Sequence, residues 1–169
     1  WLLSDWYRNA QKIRCGALMF WLNRGKAEDA SPFVRDGGVI FSFADVFSMG
    51  DELFSECKRG VAIIECKKDL ETVVSYCGAL RAGMIPLLIE AETPPSSIER
   101  IAAQYEVEYW LSRRDRSSTF FRQGKSYRGL KMFLSKQNSL GSIFPDLCML
   151  LPTSGSTGDP KCVRFSPLN

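Results

Sequence analysis

A run of hydroxyl residues and glycines near the end of the sequence has the composition of an anion-binding loop. The run TSGSTG occupies residues 153–158, directly after an apolar segment and shortly before Lys161. Its glycines permit backbone conformations that other residues avoid, so successive N–H groups can turn into one concave site. The hydroxyls add donors and the lysine adds a positive charge, a combination that suits phosphate. The predicted phosphate-binding residues are Thr153, Ser154, Gly155, Ser156, Thr157, Gly158 and Lys161.

Two common nucleotide-binding motifs do not describe this loop. A Walker A motif needs four residues between its glycines and a Lys-Ser or Lys-Thr pair directly after the second glycine, which this run lacks. A Rossmann dinucleotide-binding domain needs a glycine-rich turn after its first strand, and none follows the run VAIIE at residues 61–65. A flexible polar loop between two strands has a similar composition. A loop without a ligand therefore stays open as an alternative at this point.

Histidine and cysteine usage limits the other chemistry available. The sequence contains no histidine, which excludes Ser-His-Asp and Cys-His nucleophile pairs built from this chain alone. The six cysteines show no CxxC spacing and have no histidine with which to share a metal, so a reduced, cytoplasmic protein is favoured. Cys66 and Cys77 fall on predicted core elements and are expected to behave as small buried hydrophobes. Cys162 lies beside the loop, and nothing in the sequence indicates that its pKa is lowered.

Charged side chains offer two further candidates, and both have simpler interpretations. The pairs Glu90/Glu92 and Glu106/Glu108 fall at strand edges, where solvated carboxylates are expected rather than a catalytic pair. Residues 113–136 are basic with aromatic residues among them, as on a nucleic-acid surface, but a solvated connecting segment has the same composition. The net charge of +3 calls for neither nucleic acid nor an anionic membrane. We therefore expect no nucleic-acid partner.

The length and hydropathy predict one globular domain without a membrane span. A chain of 169 residues with 45% hydrophobic and 24% charged residues is typical of one packed domain. No apolar run approaches the roughly 20 residues that cross a bilayer, and the N-terminal segment is too mixed for a signal peptide. The first segment, Ser4 to Asn23, has the apolar spacing of an amphipathic helix, so residues 1–36 are predicted to form a helical lead-in.

Strand and helix signals then alternate along the chain. Gly37-Gly38 predicts a turn and VIFSF a short strand, and Phe43 to Lys58 predicts a helix. VAIIE, the stretch LETVVSYCGALRAG with an Asp69 N-cap and a Gly83 stop, and MIPLLIE form a βαβ unit. TPPSSIERIAAQYE and VEYWLS continue the alternation as a helix and a strand. This order predicts an α/β fold with a mostly parallel sheet and helices on both faces.

The last third of the sequence is predicted to be less regular until the loop itself. Arg113 to Pro145 is polar and basic, and we expect a connector with at most one short strand. LCMLLP at residues 147–152 and KCVRFS at residues 161–166 each predict a strand. The hydroxyl-rich run is therefore the connection between two strands.

Three stretches in order resemble the adenylate-forming (AMP-binding) superfamily, which includes acyl-CoA synthetases, firefly luciferase and the adenylation domains of nonribosomal peptide synthetases. TSGSTG followed by Asp159-Pro160-Lys161 closely resembles its phosphate-binding signature. FSFADV resembles its early LTYAEL-type motif, and GALRAGMIPLLIEAETPPSSI resembles its LKAGAxxVPLDPxxP motif. The resemblance covers residues 39–169. Two residues depart from the pattern: Cys162 replaces the usual glycine, and Pro167 replaces the usual histidine or aromatic residue.

The resemblance implies an AMP-forming acid ligase. Such an enzyme uses ATP to convert a carboxylic acid into an acyl-adenylate, with release of pyrophosphate, and then transfers the acyl group to coenzyme A or to the phosphopantetheine of an acyl or peptidyl carrier protein. The loop would hold the β- and γ-phosphates, with Lys161 closing the cradle. Mg²⁺ is expected with the ATP, held by an acidic ligand further along the enzyme.

Residues 1–169 would then be one partial domain, the N-terminal portion of the large domain of an AMP-binding enzyme. The ribose-binding aspartate, the substrate pocket and the late catalytic lysine of relatives have no counterpart in this sequence, so this chain alone is expected to be inactive and to contain no catalytic residue or metal ligand. The alternative is a non-catalytic nucleotide-binding or interaction domain derived from such an enzyme.

Overall fold

The computed structural model of the protein describes residues 28–137, 143–153 and 161–166. In these residues the chain forms three helices and nine strands. The helices are α1 (Phe43–Leu53), α2 (Leu70–Arg81) and α3 (Pro95–Gln104). The strands are β1 (Pro32–Asp36), β2 (Val39–Ser42), β3 (Val61–Cys66), β4 (Ile85–Glu90), β5 (Val107–Ser112), β6 (Phe121–Tyr127), β7 (Leu130–Ser135), β8 (Met149–Thr153) and β9 (Lys161–Phe165).

The principal sheet has seven strands in the order β6-β7-β5-β3-β4-β8-β9. Its four central strands, β5, β3, β4 and β8, are parallel to one another. An antiparallel hairpin extends the sheet on each side, β6–β7 beside β5 and β8–β9 beside β4. Strands β1 and β2 form a separate antiparallel pair. The predicted α/β class with a mostly parallel sheet is confirmed.

Helices cover both faces of this sheet, as predicted, and each face has its own core. Ala62 and Ile64 of β3 contact the core that contains α1 and α2, whereas Val61 and Ile63 contact the core that contains α3. Alternate residues of a strand point to opposite faces, so a strand buried on both sides must be apolar almost throughout. This explains why the run VAII contains no polar residue.

Local signals set the boundaries of the helices. Ser42 and Asp45 form a capping box at the start of α1, where each side chain accepts a hydrogen bond from the backbone N–H of the other residue. Asp69 caps α2 by accepting the Thr72 N–H at 3.0 Å, as the sequence predicts. Gly83 follows α2 with φ of 71°, a left-handed conformation that favours glycine.

Two predictions about these elements were wrong. Helix α1 ends at Leu53 instead of Lys58, because beyond Phe54 the N–H groups of Ser55 and Cys57 bond to carbonyls three residues earlier instead of four. The segment from Arg113 to Pro145, predicted to be a connector with at most one short strand, contains the β6–β7 hairpin.

The predicted N-terminal helix, Ser4 to Asn23, lies outside the described residues. Within the predicted helical lead-in, residues 32–36 form strand β1.

Candidate functional site

The predicted phosphate-binding run lies between the two strands of the β8–β9 hairpin. Thr153, the last residue of β8, pairs with Lys161, the first residue of β9. The Thr153 hydroxyl also donates a hydrogen bond to the Lys161 carbonyl at 3.1 Å. Both side chains are exposed. The structure therefore brings together the first and last of the predicted site residues, while Ser154, Gly155, Ser156, Thr157 and Gly158 lie outside the described residues.

The pairing of β8 with β9 places Thr153 and Lys161 at the carboxyl edge of the parallel strands. Strand β8 is parallel to β4, with Leu150 opposite Leu87, so Thr153 lies at the same edge as the end of β4. Helix α2 follows β3 and covers one face, whereas α3 follows β4 and covers the other. In open α/β sheets, ligands bind outside the carboxyl ends of the strands, near the point where the helices that follow neighbouring strands pack on opposite faces of the sheet. Thr153 and Lys161 therefore lie where this kind of sheet accommodates a ligand.

Cys162 immediately follows Lys161, and its backbone N–H donates to the Tyr105 hydroxyl at 2.7 Å. Burial raises the pKa of the Cys162 thiol, and the hydrogen bond with Tyr105 opposes this effect only in part. The thiol is therefore protonated at neutral pH, so nothing indicates a reactive thiolate beside the loop.

A buried carboxylate at the carboxyl end of β3 was missed by the sequence analysis. The Glu65 side chain accepts hydrogen bonds from Trp110 Nε1 at 2.9 Å, Arg116 Nε at 2.8 Å and Ser112 Oγ at 2.9 Å. Glu65 is 4% exposed. A glutamate within an otherwise apolar strand was the available signal, because a charge is buried only where partners compensate it. Its contacts tie β3 to β5 and to the segment that follows β5.

The glutamate pairs considered in the sequence do not form a catalytic arrangement. Glu92 is exposed and receives a bidentate contact from Arg114, at 2.7 and 2.8 Å, which lowers the pKa of its carboxyl group. Glu90 is exposed at the end of β4. Glu106 and Glu108 flank the start of β5, at the opposite edge of the sheet from Thr153. The expectation that these residues serve surface roles agrees with these positions.

The predicted core cysteines differ in their burial. Cys77 on α2 is 1% exposed, and burial raises the pKa of its thiol to about 12. Cys66, the last residue of β3, is half-buried, and burial raises its pKa as well. The five cysteines among the described residues are free thiols.

Many cationic side chains of residues 113–136 form hydrogen bonds or ion pairs with other residues of the same chain. Lys125 Nζ donates to the Glu52 carbonyl at 3.1 Å, and Lys136 Nζ donates to the Ser118 carbonyl at 2.7 Å. Arg113 contacts Asp69 and Glu71, and Arg114 and Arg116 contact Glu92 and Glu65. Cations that brace the fold in this way give no support to a nucleic-acid surface.

A cavity of about 470 Å³ opens at the end of the β8–β9 hairpin that is opposite to Thr153 and Lys161. Leu150, Arg164 and Phe165 line it together with Tyr105 at the end of α3. In the described part of the chain, no group of three or more cysteine or acidic residues could hold a metal ion. Likewise, none of the described helices has the length and apolar character needed to cross a membrane.

No protein-family model and no curated protein sequence matches this chain. Solved structures do match its fold. A variant of E. coli MenE with bound OSB-AMS matches 88% of this chain with a TM-score of 0.60 and 18% identity. The N-terminal subdomain of Klebsiella oxytoca NpsA, in complex with 3-hydroxybenzoyl-AMSN, matches 81% with a TM-score of 0.57 and 16% identity. PA1221, an NRPS protein containing adenylation and PCP domains, matches 80% with a TM-score of 0.54 and 16% identity.

These similarities define the fold: it is that of the N-terminal part of adenylate-forming enzymes. The chain covers 34% of the MenE chain, 37% of the NpsA chain and 25% of the PA1221 chain. It therefore spans between a quarter and two fifths of the length of these structures.

Proposed function

We propose that this chain is the N-terminal part of an adenylate-forming ligase and that its β8–β9 hairpin binds the phosphates of ATP. The observation that carries the proposal is the position of the signature-like run TSGSTG. Its first residue, Thr153, and the lysine that follows it, Lys161, lie at the carboxyl edge of the sheet, in a fold shared with adenylate-forming enzymes. A flexible polar loop without a ligand would give no reason for these features to coincide.

The proposed reaction joins a carboxylic acid to the AMP portion of ATP. A carboxylate oxygen attacks the α-phosphate, the bond from that phosphorus to the bridging oxygen breaks, and pyrophosphate leaves. Negative charge then grows on the leaving group, so donors fixed before the reaction stabilise the transition state more than they stabilise free ATP. The Lys161 ammonium and the hydroxyls and N–H groups of residues 153–158 are the proposed donors.

Thr153, which begins the run, and Lys161, which follows it, fit this role. Thr153 and Lys161 are exposed and held opposite one another, so neither must be uncovered for phosphate to approach. Mg²⁺, when bound with ATP, would neutralise part of the phosphate charge. We assign it no ligand among the described residues.

The substrates and acceptor follow from the same proposal. The neighbours MenE and NpsA hold OSB-AMS and 3-hydroxybenzoyl-AMSN, and PA1221 carries PCP domains. A small carboxylic acid is therefore the proposed substrate of the complete enzyme, and coenzyme A or a carrier-protein phosphopantetheine is the proposed acceptor. The free cysteines support a reduced, cytoplasmic location for this reaction.

Calorimetric titration of the 169-residue chain with magnesium pyrophosphate tests the phosphate site. We expect saturable binding that weakens about tenfold in Lys161→Ala, equivalent to ~1.4 kcal/mol. Lys58→Ala removes an exposed lysine that precedes β3 and should leave the affinity unchanged. No saturable binding, or equal losses in the two variants, would contradict the proposal.

A second assay addresses catalysis. We expect no acid-dependent release of pyrophosphate from ATP by this chain alone, because its fold spans only part of its neighbours. Release that depends on a carboxylic acid would show that these residues are sufficient for the reaction.

A further inference from the structure

One peptide group at the base of the candidate loop is held from both sides. The carbonyl of Lys161 accepts a hydrogen bond from Thr153 Oγ1 at 3.1 Å. The N–H of the same peptide group belongs to Cys162 and donates to the Tyr105 hydroxyl at 2.7 Å. The C=O and N–H of a trans peptide point in opposite directions. The Thr153 and Tyr105 hydroxyls therefore hydrogen-bond to opposite sides of the peptide that joins Lys161 to Cys162.

The sequence of β8 explains why the second contact is needed. Cys162 lies opposite Pro152, which has no N–H to donate across the hairpin. Opposed residues of an antiparallel pair exchange either two backbone hydrogen bonds or none. Because proline cannot donate, Pro152 and Cys162 exchange none, and the Cys162 N–H points away from β8. An edge strand leaves such a group unpaired unless another element covers it. Tyr105 supplies that cover.

We propose that Tyr105 is a positioning residue for the phosphate-binding loop, acting through the Lys161–Cys162 peptide. This role rests on the proposed function, because it requires that the loop bind phosphate. The hydroxyl fixes the direction in which the chain leaves the loop, and with it the Cα–Cβ direction of Lys161. A displaced lysine would approach the phosphates with poorer geometry even in a fully folded protein.

Tyr105 is itself held in place by the fold. Its backbone N–H donates to the Ile101 carbonyl at 3.0 Å at the end of α3, and the next residue, Glu106, adopts φ of 49° before β5 begins. Burial raises the pKa of the tyrosine. The hydroxyl therefore remains neutral well above physiological pH and stays available as an acceptor for the Cys162 N–H.

Substitution of Tyr105 by Phe removes this hydroxyl and keeps the ring. The matched control is Tyr127→Phe, because the Tyr127 hydroxyl also joins two elements, donating to Glu52 Oε2 at 3.1 Å on the β6–β7 side of the sheet. We expect Tyr105→Phe to weaken magnesium pyrophosphate binding about three- to tenfold, the range of one lost hydrogen bond. Tyr127→Phe should bind as the wild type does.

The outcomes separate this inference from the function on which it rests. If the wild type does not bind pyrophosphate, both fail. If the wild type binds and Tyr105→Phe binds equally well, the loop is a phosphate site and Tyr105 only supports the fold. A loss of stability in urea unfolding without any loss of affinity would likewise overturn the positioning role.

An NMR measurement covers the case in which Tyr105→Phe does not fold. In the wild-type protein, pyrophosphate should shift the amide resonances of Lys161 and Cys162 and the ring resonances of Tyr105 with one common affinity. A shift confined to residues 154–160 would overturn the proposal.

Discussion

Arg116 Nε lies 2.8 Å from Glu65 Oε1, and the two side chains are 6% and 4% exposed. The guanidinium also lies over the Trp110 ring, with its carbon 5.2 Å from the ring centroid. Among the described residues, Arg116 Nη2 is buried without a hydrogen-bond partner. The pair is thus a buried ion pair in which the arginine already lacks one bond.

Substitution of Glu65 by Gln should destabilise the protein by about 3–5 kcal/mol, because it leaves the Arg116 charge buried without compensation. Urea unfolding followed by tryptophan fluorescence measures the loss. The control is Glu92→Gln, which breaks the solvent-exposed pair with Arg114 and should destabilise the protein far less, because solvent screens exposed charges. Similar losses in the two variants would show that the buried pair has no special weight.

Helices α1 and α2 approach each other most closely at Gly50 and Gly78. A Cβ added at Gly78 would lie 2.6 Å from the Gly50 Cα, a distance that real Cβ atoms do not tolerate. Gly78→Ala should therefore destabilise the protein by about 1–3 kcal/mol through overpacking. Helix propensity alone would stabilise it by about 1 kcal/mol. Thermal unfolding decides the sign, and a more stable Ala variant would contradict the close packing.

Arg59 connects the start of β3 to the segment that leads into β8. Its guanidinium donates to the carbonyls of Gly83, Pro145 and Leu147 at 2.8, 3.1 and 3.2 Å. A lysine cannot reach several carbonyls with a planar group. We expect Arg59→Lys to increase chymotrypsin cleavage near Phe144 and Leu147. Arg122→Lys, at an exposed arginine of β6, is the control, and equal cleavage in both variants would contradict this function of Arg59.

The Asp69 cap should make stability depend on pH in the acid range. Burial alone would raise the pKa of Asp69, but hydrogen bonds from Thr72 and the charge of Arg113 together lower it below the ordinary value of 3.8. A carboxyl with a lowered folded-state pKa stabilises the protein above its unfolded-state pKa and loses this contribution as pH falls through the folded-state pKa. Asp69→Ala should therefore cost about 0.5–2 kcal/mol at pH 7.

The difference between the wild type and Asp69→Ala should shrink as the pH falls below about 4, where the carboxyl of the unfolded chain begins to be protonated, and disappear as the pH passes below the lowered folded-state pKa. Urea unfolding at several pH values measures it. A difference that does not change between about pH 7 and pH 3 would show that the ionised carboxylate is not what stabilises α2.

Local signals in the sequence predicted the βαβ core correctly. The Asp69 cap and Gly83 stop bound α2 because capping and left-handed turns depend on a few neighbouring residues. The β6–β7 hairpin was missed because β6, with the sequence FRQGKSY, is mostly polar and basic, although β7, LKMFLS, is mainly apolar. Its two-residue turn, Arg128-Gly129, has positive φ at both positions. Gly129, a residue that favours such a turn, was the available signal in the sequence.

The buried contacts could not be predicted in the same way. Glu65 meets Trp110, Ser112 and Arg116 only because β3 and β5 become neighbours, which depends on the whole sheet. The contact between Tyr105 and Cys162 likewise joins residues that are distant in the chain. At the candidate site, the sequence predicted that the run lies between two strands. Only the register showed that Thr153 and Lys161 are opposed.

The parallel pairing of β8 with β4 has a consequence for how the protein assembles. The chain between these strands contains α3, β5 and the β6–β7 hairpin, so their contact closes a long loop, whereas β3, α2 and β4 follow one another directly. Long-range parallel contacts are slow to form because chain entropy is lost before the contact is gained. The βαβ scaffold of β3, α2 and β4 should therefore form before the β8–β9 hairpin docks against β4. Until docking occurs, β4 presents an unpaired apolar edge, and this intermediate is the species most exposed to aggregation.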